Sequence, residues 1–228
     1  NGNDTNKKAL TIATAEGTTV GGTINVTNNG EGITVAGINA ANDVNLTAGE
    51  NITVAGDVNA ANASFNAGQD FIQNSGTITA SGAVVTAGRD VKLNAGSMEA
   101  STSVSLTAGS ATSVAEGHGY ISEGTEYALI APQVTASAVK AITLDSSANQ
   151  LVNVDITQVG GDLAIGSGNK NSTEALQVNI AQGITVNGSL TIKNYKDVGD
   201  NSSNDIVLAG ALSANRITIT NAEADINA

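Results

Sequence analysis

GINAANDVNLTAGENITVA (37–55), GDVNAANASFNAGQDFIQNS (56–75), GTITASGAVVTAGRDVKLNA (76–95) and GSMEASTSVSLTAG (96–109) are consecutive stretches of one chain, and set under one another they repeat. Ile38, Val58, Ile78 and Met98 recur at steps of 20 residues, and so do Ala40, Ala60, Ala80 and Ala100. An Ala-Gly pair returns at Ala48-Gly49, Ala67-Gly68, Ala87-Gly88 and Ala108-Gly109, at steps of 19, 20 and 21. Self-similarity at a fixed period near 20 residues belongs to stacked units, each buried against the next, and not to one irregular globule.

Each unit holds short runs that alternate apolar and polar, such as Val44-Asn45-Leu46, Ile52-Thr53-Val54 and Val58-Asn59-Ala60. Period 2 is strand patterning. Gly, Asn and Asp punctuate the runs, as tight bends require. No window carries a sustained i, i+3, i+4 stripe, and β-branched residues dominate the apolar set, which speaks against helices. The expected fold is therefore all-β: a right-handed parallel β-helix with three strands per rung. At about 20 residues and about 4.8 Å per rung, the chain makes roughly 10 or 11 rungs. An α/β fold would need helices between its strands, and a sandwich would show hairpin turns.

The whole chain, 1–228, reads as a single β-helix domain. Residues 1–9 are polar and expected to fray, and regular rungs span 10–109. The pattern breaks at SATSVAEGHGYISEGTEYALIA, taken with its flank as an irregular insert over 110–131, with the coil resuming near Leu129. Rungs continue over 132–228 with a longer step: Leu163, Leu190 and Ile217 stand 27 residues apart, and so do Ile165, Ile192 and Ile219. The added length falls in GSGNKNSTE (166–174) and KNYKDVGDNSSND (193–205). Equivalent strands feed both loops, so both leave the rod at one corner and form one polar patch, where binding tends to sit.

Composition narrows the function. Acidic residues number 21 against 9 Lys and Arg, a net charge of −12, which disfavours nucleic acid and anionic membrane as partners. No apolar run reaches the roughly 20 residues of a membrane span. Cysteine is absent and His118 is the one histidine, so neither a Cys nucleophile nor a histidine-rich zinc site is on offer. Arg89 and Arg216 lie far apart along the rod, unlike the carboxylate-plus-Arg clusters of polysaccharide-degrading β-helices. The expectation is a protein with no catalytic residues, no metal and no cofactor. The residues most suited to a ligand are Tyr120, Lys170, Tyr195, Lys196, Asp197, Asp200 and Asp205, because aromatic faces and charged loop side chains recognise sugars. Tyr127 fits either an insert or the core, since Ala128-Leu129-Ile130 continues from it.

The segments AGENITVAGDVNA (48–60) and AGRDVKLNAGSMEA (87–100) resemble the repeats of filamentous haemagglutinin-type proteins, the exoproteins of bacterial two-partner secretion. The resemblance covers residues 20–109 closely and 150–228 loosely. It implies a right-handed β-helix, export through an outer-membrane secretion partner, and display at the bacterial cell surface. The Asn-Pro-Asn-Gly type motif of the family's secretion domain is missing, and the chain opens at Asn1 without Met, which places it in the shaft or a distal region of a longer protein. The expected function is a rigid adhesin rod presenting loops to polysaccharide or surface glycan. A pure spacer is the alternative, and a polysaccharide-degrading enzyme is the third. Open strand edges at the two ends predict weak end-to-end self-association.

Overall fold

A computed structural model describes residues 8–168, 174–195, 205–210, 213–221 and 226–227, with Ala111, Ile226 and Asn227 described by backbone alone. The chain is all-β. Among the described residues, 21 strands join one nearly closed, solenoid-like sheet in which every pairing is parallel. The one helix described, Ala111–Ala115, is a single short turn. No described helix is long and apolar enough to cross a membrane.

Two ladders carry the stack. One runs from Leu10–Ala13 through Ile33–Asn39, Ile52–Val54, Phe71–Gln73, Val91–Leu93, Ile121–Glu123, Ile142–Leu144, Leu163–Ser167 and Val186–Asn194 to Ala214–Asn221. The other begins Ile24–Asn28, Val44–Ala48, Asn62–Ala67, Thr77–Ala87 and Ser97–Ala108, and ends at Ile226–Asn227. Register follows the repeat. Ile38 pairs with Val58, Val58 with Ile78, Ile78 with Met98 and Met98 with Leu129. All five are buried, so like side chains pile into a column inside the sheet. Each such aliphatic contributes about 1.5–3 kcal/mol on leaving water. The bore also takes aromatics, since Phe65 and Phe71 pack with ring centroids 5.2 Å apart.

Glycine sets the tightest spacing. A Cβ on Gly68 would run into the carbonyl of Gly49, and one on Gly88 into the carbonyl of Gly68. The Ala-Gly column in the sequence is thus a column of close backbone approach. The Asn or Asp two residues later has a second task. Asn51 Oδ1 accepts from the Asp70 N–H (2.9 Å), and Asp70 Oδ1 from the Asp90 N–H (3.2 Å). Asp90 Oδ1 accepts from Gly119 (2.8 Å) and Tyr120 (3.0 Å). Each carboxyl or amide at this corner staples the next rung.

The break after Gly109 is shorter than its composition suggests. The chain leaves the ladder for the helix Ala111–Ala115, then rejoins it at Ile121–Glu123, ahead of Leu129. Tyr127 resolves to core: it is buried, and its hydroxyl donates to Gln73 Oε1 at 2.7 Å. Beyond the break, Leu163 pairs with Leu190 and Leu190 with Ile217, and Ile165, Ile192 and Ile219 follow suit. The 27-residue step therefore preserves the columns. Gly166 pairs with Lys193 and Ser167 with Asn194, so the strands run two residues into both segments expected as loops, from stacked positions; residues 169–173 and 196–204 of those segments lie outside the described residues.

Candidate functional site

Three turns at one corner build a groove of about 320 Å³. Thr125 comes from the turn after Ile121–Glu123, Asp145, Ser146 and Ser147 from the turn after Ile142–Leu144, and Lys193 and Tyr195 from the end of Val186–Asn194. Lys193 Nζ lies 3.6 Å from Asp145 Oδ2, and both side chains are about one-third exposed, at 36% and 34%. The ammonium also stands 5.8 Å from the centre of the Tyr195 ring. The Tyr195 hydroxyl donates to the Asp145 carbonyl at 3.1 Å. Its ring lies so close over Gly166 that a Cβ there would come within 2.9 Å of it.

Beneath the groove sits Glu123, at a position where the stacking pattern expects an aliphatic. Its strand pairs Glu123 with Leu93, which pairs with Gln73, which pairs with Val54. Glu123 Oε2 accepts from the Ser146 N–H and from Asn149 Nδ2, each at 2.9 Å. Among the described residues, its buried Oε1 has no hydrogen-bond partner. Burial, together with the nearby Asp145 carboxylate, pushes Glu123 up to about 7 against the two hydrogen bonds it accepts. Burial and then Glu123 also push the Tyr127 hydroxyl well above its usual value. Glu123 therefore holds the turn 145–149, the floor of the groove, through Ser146 and Asn149. Ser146 Oγ in turn donates to the Thr125 carbonyl at 2.9 Å.

A second polar cluster lies on the stapling corner. Oxygens of Asp70 and Asp90 and a ring nitrogen of His118 fall within 4.8 Å of one another, a set with metal-ligand chemistry. Lys92 already takes the cation's place, with Nζ 2.8 Å from Asp70 Oδ2 and 3.3 Å from Asp90 Oδ2. His118 Nδ1 stands 3.0 Å from Asp90 Oδ2, and since an ionised carboxylate only accepts, Nδ1 carries the proton. Arg89 Nε is 3.5 Å from Asp70 Oδ1, near enough for attraction but not aligned as a hydrogen bond. Burial alone would raise Asp90. The Tyr120 and Gly119 N–H groups, then His118 and Lys92, outweigh it and hold Asp90 at about 2. Burial likewise opposes the charge on Lys92, and Asp70 and then Asp90 overcome it, so Lys92 is raised. The cluster is an ion network built around Lys92, in which the buried Arg89 Nε is left without a hydrogen bond among the described residues.

The residues singled out from sequence fare unevenly. Tyr120 is 40% exposed, but its backbone binds Asp90 on the stapling corner. Tyr195 lines the groove, half-buried and tethered. Asp205 is half-buried, and its carbonyl accepts from the Leu176 N–H. Lys170, Lys196, Asp197 and Asp200 lie outside the described residues. His118 is no free loop side chain. Thr125, Asp145, Ser146, Ser147, Lys193 and Glu123 were not singled out. Lys193 falls within the 193–205 segment, and Glu123 and Thr125 within the 110–131 insert, that the sequence marked out; for Asp145, Ser146 and Ser147 the signal was register alone.

No family model, no curated protein and no solved structure matches the chain. Its class is set by the fold alone, an all-β chain of parallel strands in a solenoid-like sheet.

Proposed function

We propose that this chain is a β-helical segment of a bacterial surface adhesin, a stiff rod that presents one corner to polysaccharide or cell-surface glycan. In this reading the sheet winds right-handed with three strands per rung. The parent protein is secreted through an outer-membrane partner and displayed on the cell. The segment itself performs no catalysis and binds neither a cofactor nor nucleic acid. The repeat grammar of residues 20–109 supports the class. The observation that carries the binding role is the groove at Asp145, Lys193 and Tyr195, cut into the corner where the 27-residue step places its added length. A rod built only for reach needs no departure from its period there.

Binding of the intact chain to a glycan array and to whole cells tests the reading. The expected result is a defined set of glycan spots, lost when residues 166–174 and 193–205 are both shortened. Silence on every array and every cell surface returns the chain to a spacer. Release of unsaturated oligosaccharides from a polysaccharide would make it a lyase instead.

A further inference from the structure

We infer that the groove between Asp145, Lys193 and Tyr195 is a binding site for one uncharged pyranose unit of a glycan, an inference that rests on the surface-binding reading and narrows it to a place and a ligand class. Size comes first. About 320 Å³ is at the low end of small-molecule sites, which run to about 1,000 Å³, so the groove holds one ring and not a chain.

The functional groups come next. A sugar hydroxyl both donates and accepts, so a site that reads adjacent hydroxyls needs an acceptor beside a donor. Asp145 and Lys193 supply that pair. At 3.6 Å and one-third exposed, their contact is loose, and such surface pairs contribute little by themselves. A carboxylate has two accepting oxygens and an ammonium three donors, so one mutual contact leaves both with capacity for hydroxyls. Ser147 and Thr125 add exposed hydroxyls at the rim.

Charge then selects the ligand. The pair sums to zero, and the chain around it carries −12, a field that repels uronates and sulfated sugars. Lys193 in turn repels a free cation from Asp145. An uncharged polyol remains. The site is also pre-set, which lowers the ordering cost of binding. Tyr195 is tied to the Asp145 carbonyl, and the Ser146 N–H is held at 2.9 Å by Glu123 from below.

The test uses the intact chain and a panel of free monosaccharides: glucose, galactose, mannose and N-acetylglucosamine, with glucuronate as the charged control. Saturation-transfer NMR and calorimetry read the binding. At least one neutral sugar is expected to bind, glucuronate is not, and Asp145→Asn and Lys193→Met are each expected to weaken binding by about tenfold or more, as losing a hydrogen bond to a charged group does. Both side chains are partly exposed, so an unchanged melting curve should accompany the loss, and Lys193→Gln serves if either variant misfolds. Tighter binding of glucuronate overturns the ligand class. Neutral-sugar binding indifferent to these substitutions overturns the location. If no monosaccharide binds while the chain still adheres to glycan arrays, the groove assignment fails and the adhesin reading survives. Loss of array and cell binding altogether takes both.

Discussion

Glu123 occupies a slot that its neighbours fill with Leu93, Gln73 and Val54, and it does so without a cation to pair with among the described residues. A raised carboxyl means the folded chain holds the proton more tightly than the unfolded one. Its contribution is fully present below pH 4.5, declines as pH rises, and is gone above about 7. The difference amounts to about 3 kcal/mol. Asp90 runs the other way: its contribution is full above 3.8 and fades as pH falls toward about 2. Urea midpoints should fall from pH 5 to pH 8, and Glu123→Gln should flatten that slope, because a glutamine oxygen still accepts from Ser146 and Asn149 without acquiring charge. An equal slope in the variant would remove Glu123 as the cause. Lys92→Met makes a second residue-scale prediction. It strips the ammonium from between Asp70 and Asp90, and the loss should be about 2 kcal/mol. That is less than the roughly 3–5 kcal/mol for breaking a buried pair, since Arg89 and His118 remain. Zn²⁺ should raise the melting temperature of that variant and leave the parent protein unmoved, because only the variant clears the ammonium from between the Asp70 and Asp90 carboxylates that His118 adjoins.

At the scale of the rung, the Ala-Gly column fixes how closely turns approach. Gly88→Ala drives a Cβ into the Gly68 carbonyl, and the ladder on either side leaves that backbone nowhere to go. The expected cost exceeds about 2 kcal/mol, whereas Gly22→Ala, whose Cβ would meet nothing within 4 Å, should be neutral or gain up to about 1 kcal/mol. Paired denaturation curves would show it, and a tolerated Gly88→Ala would mean that the rungs slide apart more easily than their hydrogen bonds suggest. The same columns explain what was legible in the sequence. A 20-residue period survives because each residue must sit on its counterpart, and the 27-residue step survives for the same reason, with Leu163, Leu190 and Ile217 still in register. The groove was not legible, because it joins turns at 125, 145–147 and 193–195 whose alignment runs through the irregular stretch after Gly109. There Val91 finds Ile121 as its partner, 30 residues on, and the strand that makes the match, Ile121-Ser122-Glu123, hides its register behind a carboxyl where the column offers Leu93. Stapling by Asn51, Asp70 and Asp90 was written plainly as AGEN, AGQD and AGRD, but turn residues read as bends until their hydrogen bonds to the next rung are seen.

A solenoid differs from a globule at its ends. Within the described residues, the Leu10–Ala13 strand pairs only with Ile33–Asn39, and Ala214–Asn221 only with Val186–Asn194. Among the described residues each thus has one edge with no strand on it, a template for another strand. Apolar side chains are exposed there as well: Leu10 and Val20 are 40% and 36% exposed at one end, and Ile217 is 46% exposed at the other. The two ends differ, so contact between them is head to tail, and a head-to-tail contact that does not close gives open strings rather than a fixed oligomer. Against it stands the charge of −12 on every copy. Salt weakens that repulsion, since screening shortens from about 30 Å at 0.01 M to about 3 Å at 1 M, while apolar and strand contacts at the ends are little affected. Sedimentation velocity at increasing protein concentration should therefore show chain-like species that grow with added NaCl and keep the frictional signature of a lengthening rod. Replacing Ile217 with Lys adds a polar head to one end only and should suppress the growth without altering the melting curve. Strict monomers at high salt and high concentration, or a single closed dimer, would overturn association through these edges.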